Sequence, residues 1–348
     1  MGGREKVVLG LSGGVDSAVA ARLLLERYDV FCLYLDIGLG EAGRADAAAV
    51  AQALGLPFET ADIRPALERH VCAPFARDYL AGRTPLPCAR CNPTVKFPAL
   101  LALADRVGAR FAATGHYARV QDGVLLRGMP ANDQSYMLAR LTREQLQRVI
   151  FPLGNYEKAR VRALAQTYGL PVAEKPDSME ICFIPDGDYA GWLDRRGETP
   201  PPGEFVDRQG NVLGRHKGIH HYTLGQRRGL GVSGPHRYFV SAIDAERSRV
   251  VLSDGGDLFA RRVWCVQPNW ISTGALTGPM EVTVRLRHSK AETPAVISPA
   301  EGGVLVELTA PARAPTPGQL AVFYGGDAVI GSAWIAAEPS AHGGKEPL

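Results

Sequence analysis

The first 115 residues alternate short apolar segments with segments rich in alanine, leucine and arginine. The apolar segments have the length of strands, and the others consist of good helix formers. The predicted order is strand 6–9, helix 17–27, strand 30–35, helix 44–54, strand 58–62, helix 97–107 and strand 110–115. Because parallel strands need long crossover connections, this alternation predicts an α/β fold whose parallel sheet is covered by helices on both faces.

The remainder of the chain has a different pattern. A proline run at 200–202 is followed by short segments punctuated by glycine, which predict a small central domain. Farther on, Val282, Val284 and Leu286 alternate with polar residues, and further strands are predicted at 304–308, 320–324 and 329–334. A small β-barrel is the simplest closure, since it leaves no open edges. The predicted divisions are 1–197, 198–262, 263–337 and a disordered tail at 338–348.

Composition limits the class of protein. Of the 348 residues, 46% are hydrophobic and 22% are charged, as in an ordinary globular protein, and the net charge of +3 neither proves nor excludes nucleic-acid binding. No apolar run approaches the ~20 residues that span a bilayer, and the N-terminus lacks a signal-peptide pattern. A cytoplasmic protein with no membrane contact is therefore expected. The sequence leaves the oligomeric state open, with a monomer as the favoured expectation. The six cysteines of such a chain are not a disulfide framework.

One string between the first strand and the first helix indicates phosphate binding. Its residues are Gly10, Leu11, Ser12, Gly13, Gly14, Val15, Asp16 and Ser17. The paired glycines let the backbone turn sharply toward a ligand, and the following helix points free N–H groups at the turn. Asp16 is a candidate ligand for a Mg²⁺ ion that bridges phosphates. The P-loop lysine and the dinucleotide fingerprint are both absent, and a lone glycine pair would indicate only a capped turn.

Further strings follow in order along the chain. Cys88 and Cys91 lie in a proline-bounded loop, and Cys182 lies farther on, between apolar neighbours that on residue type alone favour a buried side chain. The others are Thr-Gly-His-Tyr-Ala-Arg at 114–119, Asn-Asp-Gln-Ser-Tyr-Met-Leu at 132–138 and Tyr-Thr-Leu-Gly-Gln-Arg-Arg-Gly-Leu-Gly at 222–231. The glycine string resembles the PP-loop of ATP pyrophosphatases. Together the strings closely resemble the bacterial tRNA-specific 2-thiouridylases, the MnmA/TrmU family.

The resemblance implies a fold and a reaction. The fold is a PP-loop domain, a small central domain and a C-terminal β-barrel. The reaction uses ATP to adenylate the wobble uridine of tRNA, releases pyrophosphate and replaces the 2-oxygen with sulfur. Its partners are tRNA and a sulfur donor, which is a cysteine desulfurase, a relay protein or sulfide. Its expected cofactors are ATP and Mg²⁺.

The resemblance also implies roles for individual residues. The string 10–17 would bind ATP, with Leu35 and Gly115 beside the adenine and ribose. Cys182 would carry a persulfide, and Cys91 would be its nucleophilic partner. Seven residues would face the tRNA: His116, Asp133, Gln134, Ser135, Arg285, Leu286 and Gln319.

Cys88 departs from the family pattern, because many members have an aspartate at this position. It forms a C-x-x-C motif with Cys91, and Cys182 supplies a third thiol. Three cysteines beside a PP-loop resemble a second group of tRNA thiolases, whose [4Fe–4S] cluster is held by cysteine thiolates. Zinc would need a fourth ligand, which the sequence does not offer. The role of Cys88 stays open among a cluster ligand, a redox partner of Cys91 and no role.

Basic residues cluster in the second half of the chain, where they would contact RNA phosphates. The clusters are Arg215 with Lys217, Arg227 with Arg228, and Arg285 with Arg287. Two competing hypotheses remain. A PP-loop synthetase acting on a small molecule would not need Cys91 and Cys182. A non-catalytic RNA-binding protein would be expected to have a damaged glycine string.

Overall fold

The computed structural model describes residues 4–177, 180–197, 199–234, 236–289 and 291–337. The tail 338–348, predicted to be disordered, lies outside the described residues. Within the described part, no helix combines the length and the apolar character needed to cross a membrane.

The N-terminal part is built on a parallel sheet. Its strands and one hairpin are β1 (Glu5–Gly10), β2 (Tyr28–Asp36), β3 (Phe58–Asp62), β4 (Phe111–Ala113), β5 (Ala118–Gln121), β6 (Val124–Arg127) and β7 (Val149–Ile150). The sheet order is β3-β2-β1-β4-β7, and every neighbouring pair is parallel. The central strand β1 buries Val7, Val8 and Leu9 completely. The predicted α/β fold with a parallel sheet is confirmed.

Helices connect and cover these strands. They are α1 (Val15–Leu24), α2 (Ala42–Ala53), α3 (Arg64–Leu67), α4 (Ala73–Leu80), α5 (Pro87–Cys91), α6 (Phe97–Val107), α7 (Ser135–Leu138), α8 (Arg143–Leu146), α9 (Lys158–Thr167) and α10 (Tyr189–Asp194). Two π-helical turns, Glu68–Cys72 and Asn92–Lys96, adjoin them. Helix α6 buries Phe97, Leu100 and Leu103 on one face, which is the spacing of an amphipathic helix.

The central part forms a separate small sheet. Its strands are β8 (Gly203–Val206), β9 (Val212–His216), β10 (Phe239–Asp244) and β11 (Arg249–Ser253), in the order β10-β11-β8-β9. Phe205, Val240, Val250 and Leu252 are buried in its core. Two 3-10 turns, Ile219–His221 and Gly256–Leu258, complete this part.

The C-terminal part is a closed barrel of six strands. They are β12 (Phe259–Trp270), β13 (Met280–Arg285), β14 (Thr293–Ala300), β15 (Gly303–Arg313), β16 (Leu320–Gly325) and β17 (Ala328–Ile335). The order is β12-β15-β14-β13-β16-β17, and pairing of β12 with β17 closes the ring. The predicted β-barrel is confirmed. Strand β12 runs without a break across the predicted boundary between residues 262 and 263. The predicted domain divisions stay predictions.

The barrel is joined to the N-terminal part through the hairpin β5–β6. Leu126 of β6 pairs with Ala328 of β17, which extends the barrel sheet by two strands. One apolar core continues across this junction and includes Tyr136, Leu320 and Trp334. The barrel therefore packs directly against the elements that carry the predicted site.

Candidate active site

The glycine string turns between β1 and α1, at the carboxyl end of the central strand. The Ser12 N–H donates to Ser17 Oγ at 3.2 Å, and Ser17 Oγ donates to Gly14 O at 3.0 Å. Gly13 has a φ of +74°, and a Cβ there would lie 2.5 Å from Gly43 O. Only glycine fits this position, and the free N–H groups of the first turn of α1 then face the loop.

Two groups that the sequence analysis missed hold Asp16. Its Oδ1 accepts hydrogen bonds from Tyr117 OH and from Lys158 Nζ, each at 2.6 Å. Lys158 also pairs with Asp177 at 2.7 Å. Lys158 is the first residue of α9, where a cation opposes the helix dipole. This unfavourable position is the one sequence signal that the Lys158 side chain has a role outside its own helix.

A cavity of about 440 Å³ opens beside the loop. Cys91 and Cys182 line the same cavity as the glycine string, so the two predicted motifs share one chamber. Among the described lining residues, Asp16 is the only carboxylate and Lys96 is the only lysine or arginine. The predicted site residues that line it are Gly10, Leu11, Ser12, Asp16, Ser17, Leu35, Cys91, Gly115, His116, Gln134 and Cys182.

Cys91 and Cys182 reach the cavity from two elements, and Cys88 is not among its lining residues. Cys88 and Cys91 lie one turn apart on α5 and are half-buried, whereas Cys182 lies on a loop and is exposed. Its neighbours Ile181 and Phe183 pack into an apolar cluster instead. The expectation from residue type that Cys182 is buried is therefore wrong.

The charge nearest these thiols is Lys96. Burial raises the pKa of Cys91, and the positive charge of Lys96 opposes that rise. Protein atoms crowded around the Cys182 thiol raise its pKa to about 11, and Cys91 adds to the rise. Arg90, which is adjacent to Cys91 in the sequence, pairs with Asp78 at 3.2 Å.

His116 forms part of the cavity wall as a neutral ring. Burial holds the pKa of His116 well below its ordinary value, and the charge of Lys96 lowers it further. Its Nδ1 lies 2.7 Å from Thr114 Oγ1, and the ring stacks on Phe97 with centroids 6.3 Å apart. The ring is therefore fixed in place and uncharged at neutral pH.

The spacing of the cysteines bears on which metal group they fit. A zinc site with bonds of ~2.3 Å places its sulfurs roughly 4 Å apart. In the described part of the chain, the thiols of Cys88, Cys91 and Cys182 are not all within 4.8 Å of one another. In an iron–sulfur cluster each thiolate binds a different iron, so the sulfurs lie farther apart. As they lie in the described residues, the three thiols therefore form no single-ion site, and their role as cluster ligands stays a prediction.

Four of the residues predicted to contact tRNA have side chains packed inside the protein. Arg285 is 7% exposed and pairs with Asp133 at 2.9 Å and with Glu292 at 2.6 Å. Ser135, fully buried, donates to Asp133 at 2.9 Å, and Leu286 is also buried. Arg285, Asp133 and Ser135 join the two parts of the molecule, whereas Leu286 lies in the core of the barrel. Their contact with tRNA stays a prediction.

The other three predicted tRNA residues lie at the cavity or beside the cysteines. His116 and Gln134 line the cavity, and Gln134 Oε1 accepts from the Tyr117 N–H at 3.0 Å. Gln319, in the turn before β16, donates from Nε2 to Thr84 O at 2.9 Å. This contact ties the barrel to the segment that leads into α5.

Replacement of Arg285 by methionine is expected to destabilise the protein by ~3–5 kcal/mol, because two carboxylates lose a cation in a poorly hydrated position. Urea unfolding of the variant measures the loss. Arg262→Met is the matched control, since Arg262 and its partner Glu307 are both more than half exposed and 3.9 Å apart. Equal losses in the two variants would contradict a stabilising role for the buried pair.

Basic side chains of the central part remain available at the surface. Arg215, Lys217, Arg227 and Arg228 are exposed. Arg287 differs, because its guanidinium donates to Ala314 O at 2.9 Å within the barrel. The central part therefore offers the freer cations for an anionic partner.

Comparison with known families agrees with the three sheets. The model of the tRNA methyl transferase HUP domain matches residues 5–186. That of the tRNA methyl transferase PRC-barrel domain matches residues 191–254, and that of the Aminomethyltransferase beta-barrel domain matches residues 261–335.

Similar proteins cover nearly the whole chain. The tRNA-specific 2-thiouridylase MnmA of Heliobacterium modesticaldum is 46% identical over 95% of this chain and 92% of its own length. Proteins of the same name from Geobacter metallireducens and Acetivibrio thermocellus are 42% identical over 95% of this chain, and the matches cover 97% and 99% of their lengths. The chain belongs to the family of tRNA-specific 2-thiouridylases.

Proposed function

We propose that this chain replaces the 2-oxygen of the wobble uridine of tRNA with sulfur, using ATP as the activating reagent. The observation that carries the proposal is the shared cavity, which is lined by the phosphate loop and by Cys91 and Cys182. A PP-loop synthetase for small molecules has no need of two thiols beside its nucleotide. The intact loop argues against a protein that only binds RNA.

The first step is adenylation. The uridine O2 attacks the α-phosphorus of ATP, and the bond from that phosphorus to the pyrophosphate oxygen breaks. The N–H groups at the start of α1, with Ser12 and Ser17, would hold the phosphates. Asp16, oriented by Tyr117 and Lys158, would hold a Mg²⁺ ion, which offsets the charge on the departing pyrophosphate. A poor leaving oxygen is thereby converted into AMP.

The second step transfers sulfur. The terminal sulfur of a persulfide on Cys182 attacks C2 of the adenylated uridine, and AMP leaves. The Cys91 thiolate then attacks the Cys182 sulfur, which forms a Cys91–Cys182 disulfide and leaves 2-thiouridine. A sulfur donor such as a cysteine desulfurase or relay protein supplies the persulfide, and a dithiol reductant restores the cysteines. Lys96 would offset the negative charge of the attacking sulfur.

The uridine must leave its stack to reach this cavity, which favours a single-stranded anticodon loop as the substrate. The exposed cations Arg215, Lys217, Arg227 and Arg228 would bind backbone phosphates on the flanking RNA. Affinity for tRNA is then expected to fall steeply with salt, because phosphate contacts release bound counterions.

Cys88 favours a second form of the same reaction. Cys88, Cys91 and Cys182 would hold a [4Fe–4S] cluster, which would supply an open iron for incoming sulfide. The Cys-x-x-Cys motif of Cys88 and Cys91, with Cys182 as a third thiol, supports this form. Anaerobic protein would then contain iron and sulfide and absorb broadly in the visible range, and Cys88→Ala would abolish both. Iron-free protein that thiolates tRNA from a persulfide alone would exclude this form, and Cys88→Asp with and without iron and sulfide compares the two forms directly.

The proposed function predicts ATP consumption that depends on tRNA. Purified protein with ATP, Mg²⁺ and unmodified tRNA is expected to form AMP and pyrophosphate, and with a sulfur donor also 2-thiouridine. Nucleotide chromatography and mass spectrometry of digested tRNA measure the products. AMP formation at the same rate without tRNA would refute the proposal.

A further inference from the structure

The segment that leads to the nucleophilic cysteine, residues 83–86, belongs to neither helix nor strand. It joins a helical stretch that begins with α5 and continues through the π-helical turn Asn92–Lys96 into α6. Cys91 lies near the start of that stretch, and helix ends fray unless their first turns are held. Pro85 and Pro87 lack N–H groups, so the segment can make few backbone hydrogen bonds. Its position must be set from outside.

The barrel makes the contacts that set it. In the turn before β16, Pro317 O accepts from the Thr84 N–H at 2.9 Å, and Gln319 Nε2 donates to Thr84 O at 2.9 Å. The same Nε2 lies 3.3 Å from Pro85 O. Both polar groups of the Thr84 backbone are therefore satisfied by one turn of a different part of the molecule.

Two more contacts tighten this junction. Gly318, with a φ of +93°, lies so close that a Cβ would be 2.8 Å from Thr84 O. At the other end of the segment, the Arg90 guanidinium lies over the ring of Trp334 in β17, 4.8 Å from its centroid. The barrel thus holds the chain on both sides of Cys88, within one residue of Cys91.

We infer that the barrel turn 316–319 positions the Cys91 thiol for sulfur transfer, with Gln319 as the positioning residue. The inference rests on the proposed function, because it concerns the step in which Cys91 attacks the Cys182 sulfur. Cys182 lies on a separate loop, so its position does not depend on this turn. Loss of the turn's contacts would displace one of the two cysteines and leave the other in place.

The test is Gln319→Glu, which replaces the donor with a carboxylate that faces two carbonyl oxygens. Alkylation of each cysteine by iodoacetamide, without ATP or tRNA, is followed by peptide mass spectrometry. Cys91 is half-buried, so loosening of α5 is expected to speed its alkylation about threefold to tenfold and to change that of Cys182 less than twofold. Displacement of a reacting group by ~1 Å costs ~10²-fold, so kcat for thiolation is expected to fall by that order with KM for tRNA unchanged. Gln209→Glu makes the same charge change on an exposed loop and should alter neither.

Gly318→Ala tests the same contact without a charge. Its matched control is Gly326→Ala in the β16–β17 turn, which has a φ of +60° and open space where the Cβ would lie. Both variants strain the backbone, and only Gly318→Ala should speed Cys91 alkylation. The inference is overturned if Cys91 reacts at the wild-type rate in Gln319→Glu and Gly318→Ala, or if KM for tRNA rises while kcat holds. Wild-type protein that does not thiolate tRNA would refute the function, and the alkylation pattern would still report the positioning.

Discussion

Cys182→Ala is expected to lower 2-thiouridine formation by at least ~10³-fold while AMP formation from ATP in the presence of tRNA continues. Loss of a covalent nucleophile removes the sulfur-transfer route entirely, and the residual rates of such variants come only from binding and electrostatic terms. Adenylation depends on the phosphate loop and Asp16, which the substitution does not touch. The separation of the two products is the signature of the two-step reaction.

Cys91→Ala is expected to lower 2-thiouridine formation as much as Cys182→Ala does. The double variant should form 2-thiouridine no more slowly than either single variant. Residues that act as one unit have strongly non-additive effects. Cys72→Ala is the control, because Cys72 is buried outside the cavity. Thiolation above a tenth of the wild-type rate in Cys182→Ala, or an additive double variant, would contradict the relay.

Gly13→Ala is expected to abolish ATP turnover, by ~10²-fold or more. A Cβ at Gly13 would lie 2.5 Å from Gly43 O and 2.9 Å from the Ala47 nitrogen, and both are backbone atoms of helix α2. The loop must therefore shift, and a shift of ~1 Å lowers the rate by ~10²-fold when it misplaces reacting groups. The left-handed backbone adds a strain of ~1–2 kcal/mol. Tritium- or fluorescence-detected ATP binding and AMP release measure the loss.

Gly55→Ala isolates the clash from the strain. Gly55 has a φ of +66°, close to that of Gly13, but nothing lies within 4 Å of where its Cβ would be. Gly55→Ala should lower the free energy of unfolding through strain by about as much as Gly13→Ala does, and it should keep its ATP turnover. Equal losses of ATP turnover in Gly13→Ala and Gly55→Ala would show that the clash with α2 is not the cause of the loss.

The order of elements could be read from the sequence because local patterns carry it. Helix α6 was predicted at 97–107 and has those bounds, since its apolar spacing and Gly108 mark both face and end. Strand β3 likewise has its predicted bounds. Strand β14 was not predicted as an element, because two prolines interrupt its segment Thr-Pro-Ala-Val-Ile-Ser-Pro-Ala.

The chemistry of the site was only partly readable. The phosphate string and the cysteine pair are local motifs, and the cavity brings them together. Lys96 was missed because nothing local distinguishes it from a surface lysine, and Lys158 because its only signal is its place at the start of a helix. Arg285 and Asp133 were read as RNA contacts, yet a partner distant in sequence turns each into half of a buried ion pair.

The sequence alone determined the parallel sheet and the barrel, and it predicts the phosphate loop and the reactive sulfurs. These follow from periodicity and from residues that act through their own backbone or side-chain chemistry. The tertiary structure decided which charges face the thiols, which cations are satisfied internally, and that a turn of the barrel holds the chain before Cys88. Those properties depend on distances between residues far apart in the chain, because a charge or hydrogen bond acts over a few ångströms of space and is independent of separation along the sequence.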